Sequence, residues 1–314
     1  MSLRLPPGGT GAAALVALAL AGPWLAGSPD PPAIAPAAAQ LLPPLSVVSE
    51  IPLAGGGFAR APRLEVATEG VRVDAGGVWR TYPERANGAT VRHRLLLGTD
   101  QQGRDLLART LHGARRSLAI ALLAAVLAVL VGTLVGLGRA AGGRGTSLAL
   151  GGLLDGALGL PRLLLLLALA GALARAPLGL ALALALGGWM ETARAVEASA
   201  GALLARPFVA AASAAGGSRA WIAGRHLLPG VLPVLAVMLP LAATEAVLLE
   251  ATLSFLGATG RSGALSWGRI IAEGRALFPS GWWVAVFPGL LLALSAIVLS
   301  RLSQGLARGG RSST

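Results

Sequence analysis

Long apolar runs alternate with short polar stretches along this chain, and the alternation predicts its elements. A helix needs about 20 apolar residues to cross the hydrocarbon core of a membrane. Six segments reach or approach that length, and we predict one membrane-spanning helix from each: Thr10–Gly27, Ser117–Leu137, Leu153–Ala174, Pro177–Thr192, Leu228–Leu249 and Trp282–Leu302. The expected fold class is therefore an all-α membrane protein with about six transmembrane helices.

The polar segment after the first apolar run is long and has a different pattern. Leu64–Val66 and Val71–Val73 alternate apolar with polar residues between glycines and prolines, which predicts a small β element. The first run itself is either a membrane anchor or a cleaved signal peptide, since small residues follow it. The expected organisation is an anchor over 1–27, an extracytoplasmic segment over 28–116 that ends in an interfacial helix, a transmembrane domain over 117–308 and a tail over 309–314.

Arginines in the short loops predict the orientation. One set of loops, with the C-terminal end of the chain, carries Arg139, Arg144, Arg194, Arg206, Arg219, Arg225, Arg301, Arg308 and Arg311. The opposite set carries Arg175, Arg261, Arg269 and Arg275, partly offset by Glu273. Basic residues of short loops stay in the cytoplasm, whereas long loops translocate largely regardless of charge. Both termini and the loop over 206–230 are therefore expected in the cytoplasm, with 28–116 outside.

Composition excludes several classes of protein. Of 314 residues, 54% are hydrophobic and 13% are charged, with a mean hydropathy of +0.70, which excludes an ordinary soluble domain. The absence of cysteine excludes disulfides and thiolate chemistry. The absence of lysine excludes a Walker A loop, so any ATP would be hydrolysed by another subunit. The arginines that give the net charge of +12 are scattered between apolar spans, which favours membrane flanks over nucleic acid.

Charged and small residues inside the spans are candidates for specific roles. Asp155 and Glu250 are membrane-embedded polar candidates, because a charge inside a span is costly; for Glu250 we favour a structural hydrogen bond over substrate contact. Arg162 must face protein or lie near an interface, and we expect it to snorkel toward the cytoplasmic end. We interpret three glycines as a face for close helix packing: Gly132, Gly136 and Gly138. Four tryptophans at predicted span ends are explained by the interfacial aromatic belt: Trp189, Trp267, Trp282 and Trp283. The three histidines, His93, His112 and His226, lie far apart, so no metal site is expected.

The segment over 97–118, LGTDQQGRDLLARTLHGARRSL, carries a dense polar motif just before the second span. Thr99 or Asp100 can cap a helix that begins near Gln102, and Asp105 then lies in its first turns, where the helix dipole favours an anion. Its arginines can pair with these carboxylates or with lipid headgroups. The segment resembles the pre-span signature of peptide- and nickel-type ABC permeases at Gly98, Thr99, Asp100, Gly103, Arg104, Asp105, Arg109, Gly113, Ala114, Arg115, Ser117 and Leu118.

The loop over 206–230, RPFVAAASAAGGSRAWIAGRHLLPG, resembles the cytoplasmic coupling loop of the same permeases. The matching or candidate contact residues are Arg206, Ala211, Ala212, Gly216, Arg219, His226 and Pro229. We predict two short helices in 207–225 that join near Gly216, with Pro229 opening the next helix. Ala210 stands where the family has Glu, Glu197 where it has Arg, and Gln304 and Ala307 replace an acid and an Arg.

The resemblance covers about Leu97–Arg308 and continues through Glu250–Gly257, which is similar to the family's E-A-A-L-S-F-L-G. The chain is similar to the second permease subunit of dipeptide and oligopeptide ABC importers. That resemblance implies an ABC importer permease-like bundle in the bacterial inner membrane, with no enzymatic activity and no cofactor. It also implies as partners a second permease subunit, two cytoplasmic ATPase subunits, an extracytoplasmic substrate-binding protein and membrane lipid.

Two other functions are weighed beside the transporter. One is a degenerate, non-transporting permease that only scaffolds a complex, which the altered charges at the coupling loop suggest. The other is an integral-membrane enzyme such as a rhomboid-like protease, which would need a Ser nucleophile with a partnered base inside the bundle. No histidine lies in a predicted span and no Gly-x-Ser-x-Gly occurs in one, so the enzyme is disfavoured. The cargo, whether peptide, nickel chelate or another solute, is not specified by the sequence.

Overall fold

The computed structural model describes residues 9–174, 176–259 and 265–311. Arg175 and Arg261, two of the arginines that were used for orientation, lie outside the described residues. The same is true of the first eight residues of the predicted anchor and of residues 312–314 of the predicted tail.

The chain forms two compact units. The bundle unit comprises Met1–Val16, Ser117–Gly263 and Leu292–Thr314, and the sheet unit comprises Ala17–Arg116 and Ala264–Leu291. The eleven helices of the described residues are α1 (Gly9–Leu25), α2 (Leu106–Ala141), α3 (Arg144–Leu158), α4 (Arg162–Leu173), α5 (Pro177–Leu186), α6 (Trp189–Leu204), α7 (Pro207–Ala214), α8 (Arg219–Ile222), α9 (Leu228–Phe255), α10 (Trp267–Arg275) and α11 (Trp283–Arg311). The strands are β1 (Ser46–Pro52), β2 (Phe58–Ala61), β3 (Leu64–Ala67), β4 (Gly70–Ala75), β5 (Val78–Tyr82) and β6 (Val91–Leu95).

The sheet unit contains two three-stranded antiparallel sheets, ordered β2-β1-β6 and β3-β4-β5. The two predicted runs are β3 and β4, and in β4 Val71 and Val73 are buried while Arg72 between them is exposed. A hydrophobic core forms where these valines meet Ile51 and Ala59 from the other sheet. The β structure is larger than predicted, because strands such as β6 (VRHRL) place arginines at alternate positions and have little apolar signal.

The helical prediction is confirmed, since the protein is mostly α-helical and its sheets are small and N-terminal. Among the described residues three helices are long and apolar enough to cross a membrane: Leu106–Ala141, Arg219–Phe255 and Trp283–Gly309. Two bent helix pairs raise that number to as many as five. Six spans were expected, and α1 falls short of the length of a span at 17 residues.

The third and fourth predicted spans are wrong as continuous helices. Leu153–Ala174 is broken between α3 and α4, which bend by 96° around Pro161. Proline lacks a backbone N–H and disfavours helical geometry in the residue before it, so α3 ends there and a new helix begins. The run over 177–192 is interrupted at Gly187, after which α6 begins at Trp189 and continues to Leu204.

Close packing of α2 on α6 defines the centre of the bundle unit. A Cβ atom added to Gly132 would lie 2.6 Å from the carbonyl oxygen of Trp189, and one added to Gly136 would lie 2.5 Å from that of Ala193. These two glycines, one turn apart on α2, let the helix backbones approach as small-xxx-small pairs do in membranes. The predicted small-residue face is therefore confirmed. Its third member, Gly138, packs against Leu150 of α3 instead.

We expect Gly136→Leu to destabilise the bundle unit by at least about 1–3 kcal/mol, because a side chain there must displace the α6 backbone. Thermal unfolding in detergent measures the loss. Gly152→Leu on α3 is the matched control, since nothing lies within 4 Å of its added Cβ. Equal stability of the two variants would contradict this packing.

Candidate functional site

The pre-span motif forms a tight turn followed by a helix cap in the sheet unit. The carboxylate of Asp100 accepts hydrogen bonds from the backbone N–H groups of Gln102 (2.8 Å) and Arg104 (3.0 Å). Gly98 and Gly103 have φ angles of 78° and 70°, a region that favours glycine. The helix begins at Leu106 rather than near Gln102, and Asp105 caps it by accepting from the N–H of Leu107 at 2.8 Å. The prediction that Thr99 or Asp100 caps this helix is therefore wrong.

A buried ion network joins this motif to α10. Arg109, whose side chain is 2% exposed, donates to Asp100, which is 3% exposed, and to Glu273 at 2.8 Å. Arg104 contacts the same two carboxylates, at 2.6 Å and 3.0 Å. Two guanidinium groups thus bridge two acids, and each Arg–acid contact is a charge-assisted hydrogen bond. The sequence did not indicate Glu273 as a partner, because it lies 164 residues after Arg109.

The arginines of this network lower the pKa of Glu273. Burial alone would raise the pKa of Glu273, but the charge and hydrogen bond of Arg109 outweigh it, with help from Arg104 and Arg269, so the pKa is lowered. A carboxylate with a lowered folded-state pKa stabilises the protein at pH values above its ordinary pKa of 4.5. That contribution is lost as the pH falls through the lowered value.

Two tryptophans fix the backbone around the same motif. The indole N–H of Trp283 donates to the carbonyl of Thr99 at 3.0 Å, and that of Trp267 donates to the carbonyl of Thr110 at 2.9 Å. Both side chains are buried, and so is Trp189 in the bundle unit. The aromatic-belt explanation is therefore wrong for these three residues, and of the four only Trp282 is exposed. Of the arginines that match the signature, Arg115 is exposed and has no carboxylate contact among the residues that the structure describes.

In the bundle unit, α6 carries three charged residues that each pair with a different helix. Glu191 accepts from Arg162 of α4 at 3.1 Å, and Arg194 donates to Asp155 of α3 at 3.2 Å. Glu197 forms an ion pair with Arg139 of α2, with Oε1 and Nε 3.1 Å apart. Spacings of three residues place these side chains on neighbouring turns of α6. The structure thus explains the departure at Glu197, because the acid has an arginine partner within the chain.

The second membrane-embedded candidate, Glu250, lies in α9 with its side chain buried. Ser254, one turn later on the same helix, donates its hydroxyl to this carboxylate at 2.8 Å. This hydrogen bond joins two residues of the same helix and is of the structural type that we favoured for Glu250. The predicted roles of Asp155 and Glu250 stay predictions.

The loop over 206–230 has the predicted shape. Helices α7 and α8 are joined at Gly216, which has a φ of 87°, and Ser218 caps α8 by accepting from the N–H of Trp221 at 3.2 Å. A π-helical turn over Ala223–Leu227 then leads into α9, and Pro229 lies in the first turn of α9. Proline is tolerated there because the first N–H groups of a helix have no partner within it.

Buried side chains hold this loop against the bundle. Val209 of α7 and Ile222 of α8 pack into a hydrophobic cluster with Val196 of α6 and Val231 of α9. The guanidinium of Arg219 donates to the carbonyl of Gly142, at the end of α2, at 2.6 Å. The loop is therefore tied to three helices of the bundle unit.

The remaining loop surface carries alanine, arginine and aromatic side chains. Ala211 and Arg206 are exposed, and so are about half of the Phe208 and Trp221 side chains. The ring of His226 lies between these two aromatic rings, with centroids 5.9 Å and 5.1 Å away. Ala212 lies behind them, where its carbonyl accepts from the N–H of Gly217.

Comparison with known proteins assigns the chain to a family. Residues 128–311 match the family described as "Binding-protein-dependent transport system inner membrane component". The chain belongs to this family. It is 37% identical over 229 residues to a Brucella suis protein provisionally named a peptide transport system permease, covering 71% of this chain and 77% of that one. It is 33% identical over 213 residues to the di/tripeptide transport system permease protein DppC of Pseudomonas aeruginosa, covering 68% and 70%.

A solved structure of the "MetNI methionine ABC transporter" in inward facing conformations also matches, with a TM-score of 0.47 and 19% identity over 62% of this chain and 94% of that one. The family match and the two named relatives make the protein a permease subunit of a transport system and a multi-pass membrane protein, not an enzyme. The rhomboid-like alternative is removed.

Ala210, where the family resemblance predicts a glutamate, lies at the edge of a cavity. Ala210 and Arg219 both line a cavity of about 390 Å³ between α7 and the end of α2. A glutamate at 210 would therefore lie beside Arg219. Its absence leaves Arg219 hydrogen-bonded to a backbone carbonyl rather than to a carboxylate in its own chain.

We expect Arg109→Gln to cost about 3 kcal/mol, because it removes the buried guanidinium that bridges Asp100 and Glu273 and leaves only that of Arg104. The apparent melting temperature in detergent should fall by about 10 °C. Tryptophan fluorescence reports it, since Trp283 is buried beside the network. Arg115→Gln, the same change at an exposed position of the same helix, should leave the melting temperature unchanged.

Proposed function

We propose that this permease forms half of the translocation pathway of a binding-protein-dependent ABC importer for peptides or similar small solutes. A second permease completes the pathway, two cytoplasmic ATPases dock on the loop over 206–229, and an extracytoplasmic binding protein delivers the cargo. The membrane is the bacterial inner membrane. The names of the relatives support the cargo class, and the chain, which has no lysine, needs its ATPase from another subunit.

The observation that carries the proposal is the geometry of the loop. Two short helices with exposed aromatic side chains project from a buried cluster that is continuous with α6 and α9. A partner that moves α7 and α8 therefore pushes on helices that carry the spans. Through its hydrogen bond to Gly142, at the turn between α2 and α3, Arg219 would also transmit a movement of the loop to these two helices.

Contact with the ATPase is assigned to two kinds of side chain. Phe208 and Trp221 supply large apolar area on a cytoplasmic surface, and aromatic residues of this kind dominate the energetics of interfaces. Arg206 is exposed at the start of α7 and suits a carboxylate of the partner. Arg219, already hydrogen-bonded within the chain, acts on docking chiefly by holding the loop in place.

We expect Trp221→Ala to weaken ATPase binding by at least 2 kcal/mol, about 30-fold, because hot-spot aromatics contribute that much. The affinity is measured with the purified permease pair and co-expressed ATPases in detergent. Trp79→Ala, the same change on the extracytoplasmic sheet, is the matched control. Phe208→Ala provides a second test at the other half-exposed ring of the loop. Unchanged binding in both loop variants would contradict the docking assignment.

Transport itself is tested with the whole importer in proteoliposomes. ATP-dependent uptake of a radiolabelled dipeptide, here alanyl-alanine, is expected when the binding protein is present. The scaffold alternative predicts a complex that binds its ATPases but accumulates no solute. Uptake of a nickel chelate without uptake of a dipeptide would reassign the cargo and keep the importer.

A further inference from the structure

A cluster of three charged side chains lies inside the bundle unit, apart from the coupling loop. Arg162 of α4 donates to Glu191 of α6 at 3.1 Å and to Glu245 of α9 at 2.9 Å. One guanidinium is thus shared between two carboxylates, and the cluster keeps one uncompensated negative charge. The snorkelling predicted for Arg162 is not what the structure shows, because the side chain faces two acids from other helices.

Glu245 lies deep along its helix, whereas Arg162 and Glu191 lie in the first turns of theirs. Glu245 is ten residues, or about 15 Å, before α9 ends at Phe255, within a mostly apolar helix whose other acid is Glu250. Arg162 opens α4 directly after the break at Pro161. This break brings the start of a helix, rather than its middle, to Glu191 and Glu245.

These charges are also accessible at the surface of the chain. The side chains of Arg162, Glu191 and Glu245 are 28%, 46% and 36% exposed. A charged side chain at the centre of a span costs about 2.5–3.5 kcal/mol against lipid, so three of them together cannot face hydrocarbon. This face must meet water or polar protein instead. On the same helix, Leu164 is 64% exposed and apolar, as a lipid-facing position should be.

The surroundings of the cluster suit a small polar ligand. Arg162 and Glu245 line a cavity of about 10 Å³, room for about one water. The rest of its wall consists of small residues and two leucines: Ala124, Ala125, Ala128, Gly188, Ala242, Ala246, Leu184 and Leu249. A Cβ on Gly188 would lie 3.3 Å from the guanidinium of Arg162, so the glycine keeps the charge uncovered. The Nε of Arg162 is buried and has no hydrogen-bond acceptor among the described residues.

We propose that the cluster of Arg162, Glu191 and Glu245 lines the solute pathway and binds the ammonium group of an amine-bearing solute during transit. The excess carboxylate charge attracts the cation, which binds at the exposed carboxylates of Glu191 and Glu245. Amino acids and peptides with a free amino terminus have this chemistry. The assignment rests on the proposed transport function and adds the group that the pathway recognises.

Because the chain has no cysteine, one introduced thiol tests the assignment in the whole importer. Ala242→Cys places a thiol on the cavity wall, three residues before Glu245. In proteoliposomes it is labelled with a cationic trimethylammonium-ethyl or an anionic sulfonato-ethyl methanethiosulfonate, each rate divided by its rate with a free thiol. The cationic reagent should react at least about tenfold faster, since like charge repels the anion and opposite charge attracts the cation.

Matched variants separate the causes. Adding Glu191→Gln and Glu245→Gln to Ala242→Cys should abolish or reverse the preference, whereas Glu65→Gln on the extracytoplasmic sheet should leave it unchanged. Glu191→Gln alone, at the most exposed acid, should reduce it and serves if the double change fails to fold. Leu164→Cys should react at least about tenfold more slowly with both reagents. Equal reactivity of Ala242→Cys and Leu164→Cys would contradict a water-accessible pathway beside the cluster. The absence of a charge preference would contradict cation binding.

Dipeptide uptake, measured beside the labelling rates, distinguishes a failure of the cluster assignment from a failure of the proposed transport function. A charge preference without uptake of alanyl-alanine supports the cluster and removes the peptide cargo. Uptake without a charge preference supports the importer and removes the cluster as its cation site.

Discussion

The free energy needed to take charge out of water governs both units of this protein. An unpaired charge in a buried or membrane environment costs several kcal/mol, whereas a paired and hydrogen-bonded one can be tolerated. In the sheet unit Arg109 meets this requirement by bridging Asp100 and Glu273. In the bundle unit the charged residues of α6 meet it by pairing with α2, α3 and α4. These ion pairs thus connect helices at fixed positions, which apolar contacts alone specify less strictly.

Such pairing requires that the helices lie close together, and this is where the glycines of α2 matter. Gly132 and Gly136 remove the side chains that would hold α6 away. Arg139, one turn further along α2, then reaches Glu197 at 3.1 Å. Small residues and charges are therefore two parts of one arrangement, since close backbones shorten the span that a side chain must cross. In lipid, where the hydrophobic effect does not drive helices together, packing and polar contacts of this kind supply the association energy.

Much of this arrangement could be predicted locally, and the rest depends on residues distant in sequence. The spans in α2, α9 and α11 followed from hydropathy, and the α7–α8 turn followed from Gly216 and Pro229, because each signal lies within a few residues. The break at Pro161 was missed because one proline hardly changes the hydropathy of a leucine-rich run. The partner of Arg109 lies 164 residues away, a distance at which neither periodicity nor spacing carries information. Candidate residues could thus be named from the sequence, whereas their pairings could not.

The departures from the family pattern bear on whether the chain still transports. Drift without selection would remove one member of an ion pair and leave the other buried, which is strongly destabilising. Glu197, which replaces an arginine, instead faces Arg139. Ala210 removes a carboxylate beside Arg219, yet Arg219 keeps a strong hydrogen bond to Gly142. At both of these changed positions the charged side chain has a partner within the chain, Arg139 for Glu197 and the Gly142 carbonyl for Arg219. This pairing favours a specialised permease over a degenerate scaffold.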